Sequence, residues 1–186
     1  VIDSAVSGNV HSTITYGDVP WGRGSLGAYV AGGRFLNCDV SGNRTAKSNS
    51  DQTLAGALHQ TGGVVSNCTF RSNVSYRPST SASSTAGACL VSGGTFVNSL
   101  VVCNTNLTTL HDNAAGGLTV TAAATIRGVL VADNVASNAL AKTAGGLAVV
   151  GAGSLCNVTV AGNTSGGGAS VDGAYVSAGS LQNAIV

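Results

Sequence analysis

GALHQTGGVVSNCTFRSN (56–73) and GGLAVVGAGSLCNVTVAGN (145–163) are two readings of one repeat, and their shared pattern decides the fold. Each opens on a Gly, passes a second Gly near its middle and closes on an Asn. In the first, Cys68 and Phe70 stand five and three residues before Asn73; in the second, Val158 and Val160 hold those places before Asn163. Side chains two apart in an extended strand share a face. Both stretches therefore read as short strands with one apolar side, separated by Gly and Asn turns.

Outward from this pair the same marks recur along the chain. The closing Asn falls at 9, 43, 73, 104, 134 and 163, and the opening Gly at 27, 56, 87, 116, 145 and 173. Eight before the Asn stand Val1, Phe35, Val65, Phe96, Ile126 and Leu155, with Leu181 in a last incomplete unit. Three before it stand Val6, Val40, Phe70, Val101, Val131 and Val160, then Val186. Five before it stand Ser4, Cys38, Cys68, Ser99, Val129 and Val158, then Ala184. A further stripe two residues after the opening Gly is read as Tyr29, Leu58, Cys89, Leu118, Leu147 and Tyr175. A turn column of Asp3, Asn37, Asn67, Asn98, Asn157 and Asn183 is broken by Gly128. Columns that repeat in register mean stacked coils, because each side chain then sits about 4.8 Å above its equivalent. A β-sandwich needs no such identity between units. The expectation is an all-β, right-handed parallel β-helix of about 6–7 coils, ~29 residues each, with three short strands per coil.

Composition agrees with a packed chain. Of 186 residues only 8% are charged, Gly numbers 27 and Pro two. The net charge of +1 offers no field for nucleic acid, and no apolar run approaches the ~20 residues that span a bilayer. The five Cys are odd in number and lack a C-x-x-C spacing, against a disulfide framework or zinc site; they read as small buried apolar side chains. The chain lacks Met, and Val1 and Val186 both fall inside a coil, so 1–186 reads as one segment of a longer solenoid with further coils at both ends.

GGTFVN (93–98), which looks like a merger of G-G and F-x-x-N signatures, together with N-C/S-x-V-x-x-N, resembles the right-handed β-helix repeats of large secreted bacterial proteins, such as autotransporter passengers and the polymorphic outer-membrane protein family. The resemblance covers 27–186, and 1–9 more weakly. It implies an extracellular or bacterial cell-surface location and a structural, adhesin-like role. It does not choose a function, since this scaffold carries adhesins, lyases and hydrolases alike.

Between each closing Asn and the next Gly lies a polar variable segment, and these segments share one corner of the coil as a loop ridge. The long loop 10–26 holds Tyr16, Asp18, Trp21 and Arg23, where an aromatic ring could stack on a sugar; Trp21 covering the open end of the helix is the plainer reading. Outward positions of the first strand are read as Ala28/Val30, Ala57/His59, Ala88/Leu90, Gly117/Thr119, Gly146/Ala148 and Ala174/Val176, with His59 alone titratable. On the third strand Asp39 and Arg71 lie in adjacent coils and can pair, followed by Leu100/Val102 and Leu130/Ala132. Glycoside hydrolysis needs two placed carboxylates, and these faces carry one. His11, and His111 beside Asp112, fall in variable loops. No catalytic, cofactor-binding or metal-ligating set emerges. Six Asn-x-Ser/Thr sequons are explained by the repeat, and the row containing Thr95 and Thr125 is too short for an ice-binding array.

Two functions follow as expectations. The first is a structural or adhesive module, not an enzyme, that displays the loop ridge and the apolar flank to other protein chains or to its own copies; its contact candidates are Tyr16, Asp18, Trp21, Arg23, His59, Leu100, Val102 and Leu130. The alternative is a carbohydrate-binding or carbohydrate-active β-helix whose site lies in loop 10–26 or outside the segment. Neither needs a cofactor, nucleic acid or membrane insertion.

Overall fold

In the computed structural model, residues 1–11, 24–45, 53–76, 85–108, 113–137 and 142–186 are described. Every paired strand among them is parallel, and no helix occurs. The chain is a parallel β-solenoid of about five turns. The repeat leads to a count of six to seven because it scores the partial turns at 1–11 and 174–186 as coils.

The first strand of each coil forms a six-stranded sheet: Ala28–Val30, Leu58–Gln60, Cys89–Val91, Leu118–Val120, Leu147–Val149 and Ala174–Val176. The second and third strands share a ten-stranded sheet, separate in most coils but continuous at Ala124–Ala132 and Ser154–Ala161. Coils in which the second and third strands are separate have five strands, not three. Two further sheets run through the variable segments: one through Arg44–Thr45, Val74–Ser75 and Thr105–Asn106, the other through Thr53–Ala55, Thr85–Ala86 and Ala114–Ala115. These strands hold small and polar residues without an alternating apolar face, so the sequence reads them as loop.

The inward columns of the second and third strands are as the repeat places them. Val65, Phe96, Ile126 and Leu155 are fully buried and in register, as are Val40, Phe70, Val101 and Val131. Each such side chain contributes about 1.5–3 kcal/mol relative to exposure. Phe70 and Phe96 bring their rings to 5.5 Å across adjacent coils.

The first-strand column needs correction at both ends. Ala28 pairs with Leu58 and Tyr29 with His59, while Leu147 pairs with Ala174 and Ala148 with Tyr175. The inward column is therefore Ala28, Leu58, Cys89, Leu118, Leu147, Ala174, followed by Val30, Gln60, Val91, Val120, Val149, Val176. Gly27 and Gly173 stand one place later than the other opening Gly residues, and the shift moves both Tyr side chains outward.

That outward face, Tyr29, His59, Leu90, Thr119, Ala148 and Tyr175, is not bare. His59, Leu90, Thr119 and Ala148 are buried. Leu90 packs with Ala55 and Ala86, and Ala148 with Ala115 and Ala144, so the short strands of the variable segments lie over it as a small second core. Thr119 donates its hydroxyl to the Thr85 carbonyl at 2.7 Å.

The closing Asn residues form a continuous ladder. In each of Asn9, Asn43, Asn73, Asn104 and Asn134 the backbone N–H and the side-chain Nδ2 both donate to the Oδ1 of the next Asn, at 2.7–3.1 Å. The opening Gly column is a matter of space. A Cβ on Gly87 would stand 1.9 Å from the Gly116 carbonyl oxygen of the next coil.

Candidate functional site

The third strand presents an outward sheet face that the described residues leave partly uncovered in the middle coils. Its outward positions run Asp39, Thr69, Leu100, Leu130, Thr159 and, beside them, Ser41, Arg71, Val102, Ala132, Ala161. Strand alternation aims these side chains out while Val40, Phe70, Val101, Val131 and Val160 fill the core. Leu100 is 43% exposed, Leu130 and Val102 are half-buried, and Ala132 is buried. Leu100 pairs in register with Leu130, and Val102 with Ala132. The four make an apolar step flanked by Thr69 and Thr159.

One ion pair closes the N-terminal side of this step. Arg71 donates from Nε to Asp39 Oδ2 at 2.9 Å, and Ser41 donates to the other carboxylate oxygen. Partial burial pushes the Asp39 carboxyl up, but the hydrogen bonds from Ser41 and Arg71 and the Arg71 charge outweigh it, leaving the group below its ordinary range. The pair neutralises itself, so the step carries no net charge.

His59 lies elsewhere, on the first-strand face beneath the second core. Its ring meets Tyr29 edge-on at 5.4 Å, and Nε2 is 3.5 Å from Ser92 Oγ. Nδ1 is buried with no hydrogen-bond partner among the described residues. Burial lowers its pKa below the usual imidazole value, so the ring is neutral near pH 7. It is not a surface contact as the sequence reading has it, because Tyr29 and the short strands shield it. His59 and the Leu100–Leu130 step thus belong to different faces.

Tyr16, Asp18, Trp21, Arg23, His111 and Asp112 lie outside the described residues, as does the side chain of His11. Among the described residues no group of three or more His, Cys, Asp or Glu is placed to hold a metal ion. Of the five Cys, Cys38, Cys68 and Cys89 are buried as expected, whereas Cys103 is exposed and Cys156 half-exposed. Cys103 occupies a turn with positive φ, and Cys156 an outward strand position, so neither can turn into the core.

The sequence reading also misses a turn column. Gly8, Gly42, Ser72, Cys103, Asp133 and Gly162, each immediately before a closing Asn, all have φ between 55° and 67°. Three of six are Gly, which was the available clue. Gly128, which breaks the other column in side-chain identity, keeps it in conformation: its φ of 63° matches the 48–55° of the Asn and Asp residues there.

The fold and surface define this chain as a parallel β-solenoid with an uncovered apolar step on one sheet face. No protein-family model, no curated protein and no solved structure matches it.

Proposed function

We propose that the chain is a structural or adhesive module of a bacterial cell-surface or secreted protein, akin to autotransporter passengers, that coils right-handed and works by display. The right-handed sense follows the general rule for parallel crossovers. The observation that carries the reading is the Leu100–Leu130 pair: two large apolar side chains kept outward on adjacent rungs, with Thr69 and Thr159 on the flanking rungs and the self-neutralised Asp39–Arg71 pair on the N-terminal side. Exposed apolar patches on rigid scaffolds serve contact, and such a face suits another protein chain or a second copy. The repeat motifs shared with secreted bacterial β-helices support the extracellular location.

Two measurements test this. Sedimentation of the purified chain is expected to show concentration-dependent association that the Leu100→Lys/Leu130→Lys variant loses while keeping its β-sheet circular dichroism. Protease shaving of intact source cells is expected to release peptides of the chain. A chain that stays monomeric at every concentration and is recovered only from the cytosol overturns the proposal.

A further inference from the structure

We propose that Asn157 is an acceptor for an N-linked sugar, the amide nitrogen displacing the diphosphate of a nucleotide- or lipid-linked glycosyl donor. Of the six sequons, the structure withdraws four. Asn43, Asn73 and Asn163 belong to the buried ladder, and each donates Nδ2 to a core-strand carbonyl, Val6, Val40 and Val131 respectively. Asn106 is buried and donates to Thr85 Oγ1 and the Ala115 carbonyl. Asn67 and Asn157 remain, both exposed in the positive-φ turn column.

A hole in that column separates these two. Asn67 donates Nδ2 to Asn37 Oδ1 at 3.3 Å. At Asn157 the equivalent place one coil back is Gly128, which has no side chain to accept. Asn157 Oδ1 accepts from Asn183 Nδ2 and Cys156 Sγ, while its own Nδ2 makes no hydrogen bond among the described residues. Thr159, the third sequon residue, points outward on the same face and is half-exposed, with Val158 turned into the core between them. Amide and hydroxyl are thus offered together. In the transfer, a bond forms from Asn157 Nδ2 to the anomeric carbon, the bond from that carbon to the diphosphate oxygen breaks, and the nitrogen gives up one proton. The inference stands independently of where the chain resides.

The test uses the folded chain, a nucleotide-sugar-dependent N-glycosyltransferase and UDP-glucose, read by intact mass and peptide mapping. One hexose is expected on the peptide containing Asn157, lost in Asn157→Gln and several-fold slower in Gly128→Asn, which restores the missing acceptor in a residue suited to positive φ. Asn73 is expected to stay unmodified. A folded chain that takes no sugar at Asn157, or takes it equally at Asn73 or Asn67, or is unaffected by Gly128→Asn, overturns the proposal.

Discussion

Asn73 gives Asn104 both of its hydrogen bonds toward the next coil: the backbone N–H at 2.9 Å and Nδ2 at 3.0 Å meet the same Oδ1. Asn104 in turn donates Nδ2 to the Phe70 carbonyl and to Asn134. Every amide in this buried ladder is at once acceptor and donor, so one side chain serves three coils. A buried donor without its acceptor costs about 1–3 kcal/mol.

Asn104→Ala is therefore expected to destabilise the chain by about 2–4 kcal/mol, through orphaned groups on both sides. Asn104→Asp keeps the acceptor but loses the donor and buries a charge, and should be no milder near neutral pH. Chemical denaturation of the two variants checks this; a loss below about 1 kcal/mol for Asn104→Ala would mean that the ladder is not what clamps the corner.

Gly87→Ala and Gly32→Ala should behave as opposites. The first puts a Cβ against the backbone of the next coil, which cannot withdraw without unstacking, and is expected to cost more than about 3 kcal/mol or prevent folding. Gly32 has nothing within 4 Å of its Cβ and lies in an exposed turn, so its substitution should stay within about 0.5 kcal/mol. Thermal melts of the pair decide it.

His59 should make stability depend on pH in one direction. Burial lowers its pKa in the folded chain, so the unfolded chain takes up a proton first as pH falls. Its contribution is complete above about pH 6.5, the unfolded value, and is lost as pH drops from there toward the folded pKa. His59→Phe keeps the ring packing against Tyr29 and Leu90, and is expected to flatten the profile between pH 7 and 5 relative to the parent chain. Identical profiles would contradict the buried, neutral imidazole.

Arg71→Ala should matter little at neutral pH, by less than about 1 kcal/mol, because the pair with Asp39 is largely open to solvent. Asp39 has its pKa lowered, so what the pair contributes is present above about pH 4 and fades as acid protonates the carboxylate. A double-mutant cycle with Asp39→Asn, run at pH 7 and pH 3, is expected to show a small coupling that vanishes at the lower pH.

The columns that face the solenoid interior were legible in the sequence because stacking demands the same kind of side chain at the same place in each coil; Phe35 through Leu155 and Val40 through Val160 required no coordinates. The turn columns were half legible: Asn37 and its equivalents showed themselves by identity, whereas Ser72, Cys103 and Asp133 share only a backbone conformation, which leaves no common residue type. Tertiary structure alone decided the rest. The placement of Tyr29 outward beside His59 depends on a one-residue shift after Gly27, and in a strand one residue exchanges the two faces. The burial of the first-strand outer face, and the exposure left to Leu100 and Leu130, depend on where the short strands of the variable segments come to rest. That position is set by contacts between coils and between sheets, which no pattern within a single repeat records.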